Sequence, residues 1–155
     1  MRAHRWILPA ALATLWLAPG AALSAQATDP RIGVWRNRDN AGNVMNYTAL
    51  PNGGTRLKVD AVNAQGQVTS YWGYDAFFDS SWHPVTGTGR SGSEEDATVI
   101  LKNPRTIEIR YRRPAGGQLD RILENVVSPD GNRLWVIFRD AQGVVTNVVT
   151  YEKVP

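Results

Sequence analysis

The residues best suited to chemistry in this 155-residue chain gather in FFDSSWHPVTGTGRSGSEED, residues 77–96. The chain has two histidines: His4 lies in an apolar leader, and His83 sits here between Trp82 and Pro84. A histidine that works as a general base needs a pKa near the operating pH, a partner to fix its tautomer and a group to deprotonate. Asp79, four residues back, can be the partner. The last requirement is unmet, because Ser80 and Ser81 belong to an Asp-Ser-Ser turn and no serine or threonine occupies a nucleophile elbow. No residue is given a catalytic role, and Trp82 and His83 are expected on the rim of a loop.

Metal chemistry fares no better. With no cysteine anywhere and a single histidine outside the leader, a transition-metal ligand set is missing. Calcium takes six or more oxygens, usually from alternating positions around a sharp turn. In SGSEEDAT (91–98), Glu94, Glu95 and Asp96 are consecutive, so their side chains diverge and the segment reads as a solvated rim beside a cavity. Neither a metal nor a cofactor is expected.

Binding chemistry is richer. VTSYWGYDAFF (68–78) alternates so that Trp72, Tyr74, Ala76 and Phe78 share a face with Val68, while Tyr71 and Phe77 take the other. If Trp72 and Tyr74 border a space, they form an amphipathic wall for a small apolar or aromatic ligand; otherwise they fill the core. Positive charge gathers at Arg110, Arg112, Arg113, Arg121, Arg133 and Arg139, interleaved with Glu108, Asp120 and Glu124. That pattern is either a solvated face of cross-strand ion pairs or a surface for an anionic ligand or acidic partner. Nucleic acid is not expected, since base stacking needs aromatics among the arginines and only Tyr111 is there, facing the opposite way. Arg121 stands apart because Leu119 and Leu123 share its face. If that face is internal, the charge requires a partner, which a ligand carboxylate would provide.

Period two governs the elements that must hold these residues. RLKVDAV (56–62) and TIEIRYR (106–112) each set apolar residues against charged ones, the mark of a strand with one buried face. No sustained helical periodicity occurs beyond the leader. Turns are written in Gly, Asn, Asp and Pro: PNGG, NAQGQ, NPR, RPAGG, SPDGN and DAQGV. Between them, strands are expected near 33–37, 43–50, 55–62, 67–78, 97–102, 106–112, 118–127, 133–139 and 144–152. Short loops make sequence neighbours pair in space, and eight or nine twisted strands curl until they close. The expected fold is all-β: a single antiparallel up-and-down barrel of about eight or nine strands, filled by side chains or holding one small ligand. A two-sheet sandwich is the rival, but its long crossovers are mostly missing.

Residues 1–27 stand outside that fold. Arg2, His4 and Arg5 precede an apolar run from Trp6 to Ala18, and Ala25-Gln26-Ala27 offers a small-x-small cleavage pattern. The run falls short of the about 20 residues a membrane helix needs. It reads as a cleaved secretory signal, leaving 28–155 as one periplasmic or secreted domain. Its loss takes two arginines and no acid, so 17 basic against 14 acidic residues become 15 against 14. So balanced a chain has no long-range pull on nucleic acid or anionic membrane. Insertion as an outer-membrane barrel is not expected either, because one face of 56–62 and of 106–112 is charged rather than apolar.

IGVWRN (32–37), with Gly33-x-Trp35, resembles the opening strand of the calycin group: lipocalins, intracellular fatty-acid-binding proteins and avidins. In that group the tryptophan closes one end of the barrel, the role implied for Trp35. TYEKV (150–154) is similar to the last strand of fatty-acid-binding proteins, where a tyrosine and an arginine two residues before it grip a carboxylate. Tyr151 is present; Val149 stands at the arginine position, so that clamp does not carry over. Small secreted bacterial proteins of lipocalin-like type resemble most of residues 28–155. They share the opening Gly33-x-Trp35, Pro84 to Gly87, the Val126 to Gly131 hairpin and a closing Thr146 to Lys153. This resemblance implies a fold and a location, and no reaction.

The expected function is binding of a small hydrophobic or amphipathic ligand, lined by Trp72, Tyr74, Arg121, Trp135 and Tyr151. A protein-binding module or inhibitor using the 77–96 loop is the alternative. An enzyme centred on His83 lacks a partnered nucleophile or metal set.

Overall fold

Along Thr55–Val62, Thr106–Arg112 and Leu119–Val127 buried side chains alternate with more exposed ones, and among the described residues every strand is antiparallel to its neighbours. The computed structural model describes residues 29–51, 53–88 and 94–155; the 1–27 leader and residues 89–93 of the 77–96 stretch lie outside them. Eleven strands form one sheet: β1 (Gly33–Asn37), β2 (Asn43–Ala49), β3 (Thr55–Val62), β4 (Val68–Ala76), β5 (His83–Pro84), β6 (Thr86–Gly87), β7 (Asp96–Asn103), β8 (Thr106–Arg112), β9 (Leu119–Val127), β10 (Arg133–Asp140) and β11 (Val145–Lys153). Nine of these match the expected strands. The count exceeds eight or nine because β5 and β6, two residues each, are too short for periodicity to reveal.

Strand order is β5-β7-β8-β9-β10-β11-β1-β2-β3-β4-β6. The meander curls until β1 meets β11, with Trp35 opposite Lys153 and Asn37 opposite Tyr151. Both ends of this order, β5 and β6, belong to one short segment with Val85 between them. His83 and Pro84 pair with Ala97 and Asp96 of β7, while Thr86 and Gly87 pair with Gly73 and Trp72 of β4. The Val85 N–H donates to the Glu95 carbonyl and the Thr88 N–H to the Tyr71 carbonyl. Segment 83–87 thus latches the seam of a nearly closed barrel.

The two near-identical turns are built alike. Asn63 Oδ1 accepts from the N–H groups of Gln65 and Gln67, and Asp140 Oδ1 accepts from those of Gln142 and Val144. Gly66 and Gly143 then take φ of +78° and +86°, where a side chain would be strained. A bulge between Ala61 and Val62 shifts the β3–β4 register. It throws Val68 out of phase with Trp72, so Val68 is exposed rather than sharing the inner face.

Inward side chains fill the middle of the bore. Trp35, Tyr47, Ile107, Ile109, Tyr111 and Leu134 are essentially inaccessible. Arg31 lies across one end, buried, paired to Asp29 at 2.8 Å and stacked 5.6 Å from the Phe78 ring, and it lines a cleft of about 600 Å³ with Ile32, Leu50, Phe78 and Leu101. The Trp35 indole N–H donates to the Arg31 carbonyl at 2.7 Å.

Outside, Glu108 is flanked by Arg110 at 2.6 Å and Lys102 at 3.3 Å. Burial pushes its carboxyl up, but the hydrogen bonds and charges of Arg110 and Lys102 outweigh this and hold it below the usual carboxylate range. A carboxyl depressed on folding contributes stability above its unfolded pKa of about 4.3 and loses it as pH falls through the lower folded value. Glu108→Gln should therefore lower the urea midpoint at neutral pH by an amount equivalent to under about 1 kcal/mol. The difference from wild type should vanish near pH 2; a gap constant with pH would refute the ion-pair origin.

Candidate functional site

At the end opposite Arg31, the barrel does not fill. A cleft of about 480 Å³ opens there, lined by Asn43, Val59, Trp72, Arg113, Asp120, Arg121, Phe138 and Tyr151. Each strand contributes where its inward phase meets the mouth. β2 begins with Asn43, β3 brings Val59, β4 Trp72, β9 Arg121, β10 Phe138 and β11 Tyr151. Apolar walls come from Val59, Trp72 and Phe138. Tyr151 Oη donates to Asn43 Oδ1 at 3.2 Å, and burial pushes the Tyr151 hydroxyl pKa up, so it stays uncharged.

The charges at the mouth are arranged in pairs. Glu95 is fully buried, with Arg121 Nη2 at 2.5 Å and Arg113 Nη2 at 3.7 Å from its Oε1. Arg121 Nη1 also meets Asp120 at 2.6 Å, and its guanidinium carbon lies 4.2 Å from the centre of the Tyr111 ring. The expectation that 94–96 forms a solvated rim is corrected here. Glu94 is exposed, but Glu95 points inward and Asp96 is held by Arg112 at 2.8 Å. Burial of Glu95 is possible because two guanidiniums replace its water.

Beneath the mouth lies a layer of neutral polar groups. Trp72 and Tyr74 ring centroids are 6.4 Å apart, and Tyr74 meets Tyr111 edge-on at 6.1 Å. Asn125 Nδ2 donates to Tyr47 Oη at 2.6 Å. Burial pushes the hydroxyl pKa values of Tyr47, Tyr74 and Tyr111 up. Tyr74 and Tyr111 lie close enough for their hydroxyls to interact and influence each other's ionisation, and Asn125 Oδ1 has no hydrogen-bond partner among the described residues.

Of the five expected lining residues, Trp72, Arg121 and Tyr151 meet in the cleft and Tyr74 lies just below Trp72. Trp135 is not brought there: buried Leu134 and Val136 flank it, so it takes the opposite face. Trp35 is buried toward the Arg31 end. Trp82 and His83 do not rim the cleft either. Arg112 covers Trp82, with its guanidinium carbon 4.3 Å from the ring centre. The His83 ring packs 5.1 Å from Phe77, with Nε2 4.0 Å from Asp79. A separate recess along the seam includes His83, Phe77, Tyr71 and Asp75 and shares no residue with the cleft. No group of three or more His, Cys, Asp or Glu side chains among the described residues is placed to hold a metal.

Sequence reasoning missed Glu95, Phe138 and Asn43. Glu95 could have been found by extending the Ala97 and Val99 alternation back one step.

No family model, curated protein or solved structure matches the chain.

Proposed function

We propose that this chain is a lipocalin-like carrier, working in the periplasm or outside the cell, that holds a small hydrophobic or amphipathic molecule at the mouth of its barrel. One observation carries the reading: Val59, Trp72 and Phe138 converge with Tyr151, Asn43 and Arg121 on one opening of a bore whose middle is packed. Its volume of about 480 Å³ lies within the roughly 300–1,000 Å³ of small-molecule sites, and its lining sets three apolar side chains, Val59, Trp72 and Phe138, among five polar or charged ones. The guest sits at the mouth rather than within a hollow core. The protein-binding alternative is less well supported, since Arg112 already occupies the face of Trp82, its natural anchor.

The neutral dye N-phenyl-1-naphthylamine should bind saturably, one per chain, with enhanced fluorescence. Trp72→Ala should weaken it about tenfold or more, as expected when a large aromatic contact is removed, with circular dichroism showing a barrel that still folds, at some loss of stability because Trp72 packs against the core. Wild-type protein that gives no saturable signal would overturn the carrier reading.

A further inference from the structure

Resting on that reading, we infer that the cleft selects uncharged guests, alcohols or carbonyl compounds of aromatic or medium-chain apolar skeleton, and discriminates against the corresponding carboxylates. Among the described residues two cations and two anions meet at the mouth, Arg113 and Arg121 against Glu95 and Asp120, and their charges balance. Arg121 has no free fork to offer. One amine nitrogen meets Glu95, the other meets Asp120, and a face of the group lies over Tyr111. The requirement that a buried cation be paired is thus met from within the chain.

A guest carboxylate entering the cleft would shed water and then face Glu95 and Asp120, with Arg121 already engaged and only the half-exposed Arg113, itself directed at Glu95 from 3.7 Å, to meet it. Nor does β11 supply one, since Val149 stands two residues before Tyr151. A hydroxyl or carbonyl meets a different surface: the Tyr151 hydroxyl and Asn43 amide at the wall are uncharged hydrogen-bonding groups.

The test is displacement of N-phenyl-1-naphthylamine at about pH 7 by two matched pairs, 1-decanol against decanoate and 2-naphthol against 2-naphthoate. Each alcohol should displace the dye at a concentration at least tenfold lower than its carboxylate. Solvation of the carboxylate alone favours the alcohol in any apolar pocket, so the variants decide. Glu95→Gln releases Arg121 from its buried partner and should shrink the alcohol-to-carboxylate ratio at least fivefold. Asp120→Asn, whose side chain is half exposed and whose loss threatens the fold less, should shrink it in the same direction by a smaller factor. Trp72→Ala should weaken both members of each pair alike and leave the ratio unchanged. Carboxylates that match the alcohols in wild type, or ratios unmoved in both Glu95→Gln and Asp120→Asn, would overturn the inference while dye binding kept the carrier reading intact. Absence of dye binding in the wild type would remove both.

Discussion

Trp35→Ala should cost the barrel about 3–5 kcal/mol, the range for deleting a fully buried large aromatic. Trp35 has no accessible surface, and β2 and β11 flank it through Met45 and Lys153. Its N–H satisfies the Arg31 carbonyl at 2.7 Å, and Lys153 Nζ stands 5.1 Å from its ring centre. Alanine would therefore open a cavity and leave that buried carbonyl unpaired. Domains of this size hold only about 5–15 kcal/mol in total, so a large part of the margin would go. Trp35→Phe keeps most of the volume but not the donor, and should lose about 1–3 kcal/mol. Urea denaturation followed by circular dichroism measures both. A loss below about 1 kcal/mol for the alanine variant would mean that this end of the bore is not packed around the indole.

The second large effect belongs to the latch. Gly87 takes φ of +152°, and a Cβ built there would stand 2.1 Å from the Tyr71 carbonyl oxygen and 2.6 Å from the Trp72 Cα. Both obstacles are backbone of β4, which cannot swing aside as the tip of a side chain can. Gly87→Ala must push 86–88 off β4, giving up the pairing at Trp72 and Gly73 and the Thr88 to Tyr71 hydrogen bond. Strain and overpacking of this kind cost about 1–3 kcal/mol. A second consequence follows, because the freed edge of β4 presents unpaired backbone to solvent and to other copies of the chain. The variant should unfold at lower urea concentration and show oligomers by size-exclusion chromatography at high concentration. A monomer of wild-type stability would show that the seam holds without the latch.

Legibility in the sequence tracked how cleanly each strand separates its two faces. In RLKVDAV and TIEIRYR one phase is charged, and Leu57, Val59, Ile107, Ile109 and Tyr111 are buried as expected. The all-β meander and its nine long strands were readable for the same reason, with turn chemistry marking the boundaries. In RLWVIFRD both phases are apolar, so alternation could not choose between Trp135 and its neighbours; packing puts Leu134, Val136 and Phe138 inside. Arg121 was singled out by Leu119 and Leu123, but a bulge between Tyr111 and Arg112 sets Leu119 opposite Arg112 and leaves only Leu123 in phase with Arg121; its partner was not legible at all. Glu95 lies 26 positions earlier in the chain, and period two says nothing of which distant strand faces a given residue. Charge type also misled at Glu95, which reads as solvent-facing until two arginines arrive across the barrel. The latch was illegible because two-residue strands carry no period at all.

The ring has two joints of opposite kind. Between β11 and β1, hydrogen bonds hold it where the chain has no covalent link. Between β4 and β7, peptide bonds run through residues 77–95, and among the described residues the backbone pairing that closes the seam is that of segment 83–88. A single proteolytic nick in that connector would yield two fragments, each already a coherent sheet, that stay associated through the β1–β11 ladder. The barrel is, in effect, two complementary half-shells, hinged by hydrogen bonds and stitched by one short thread.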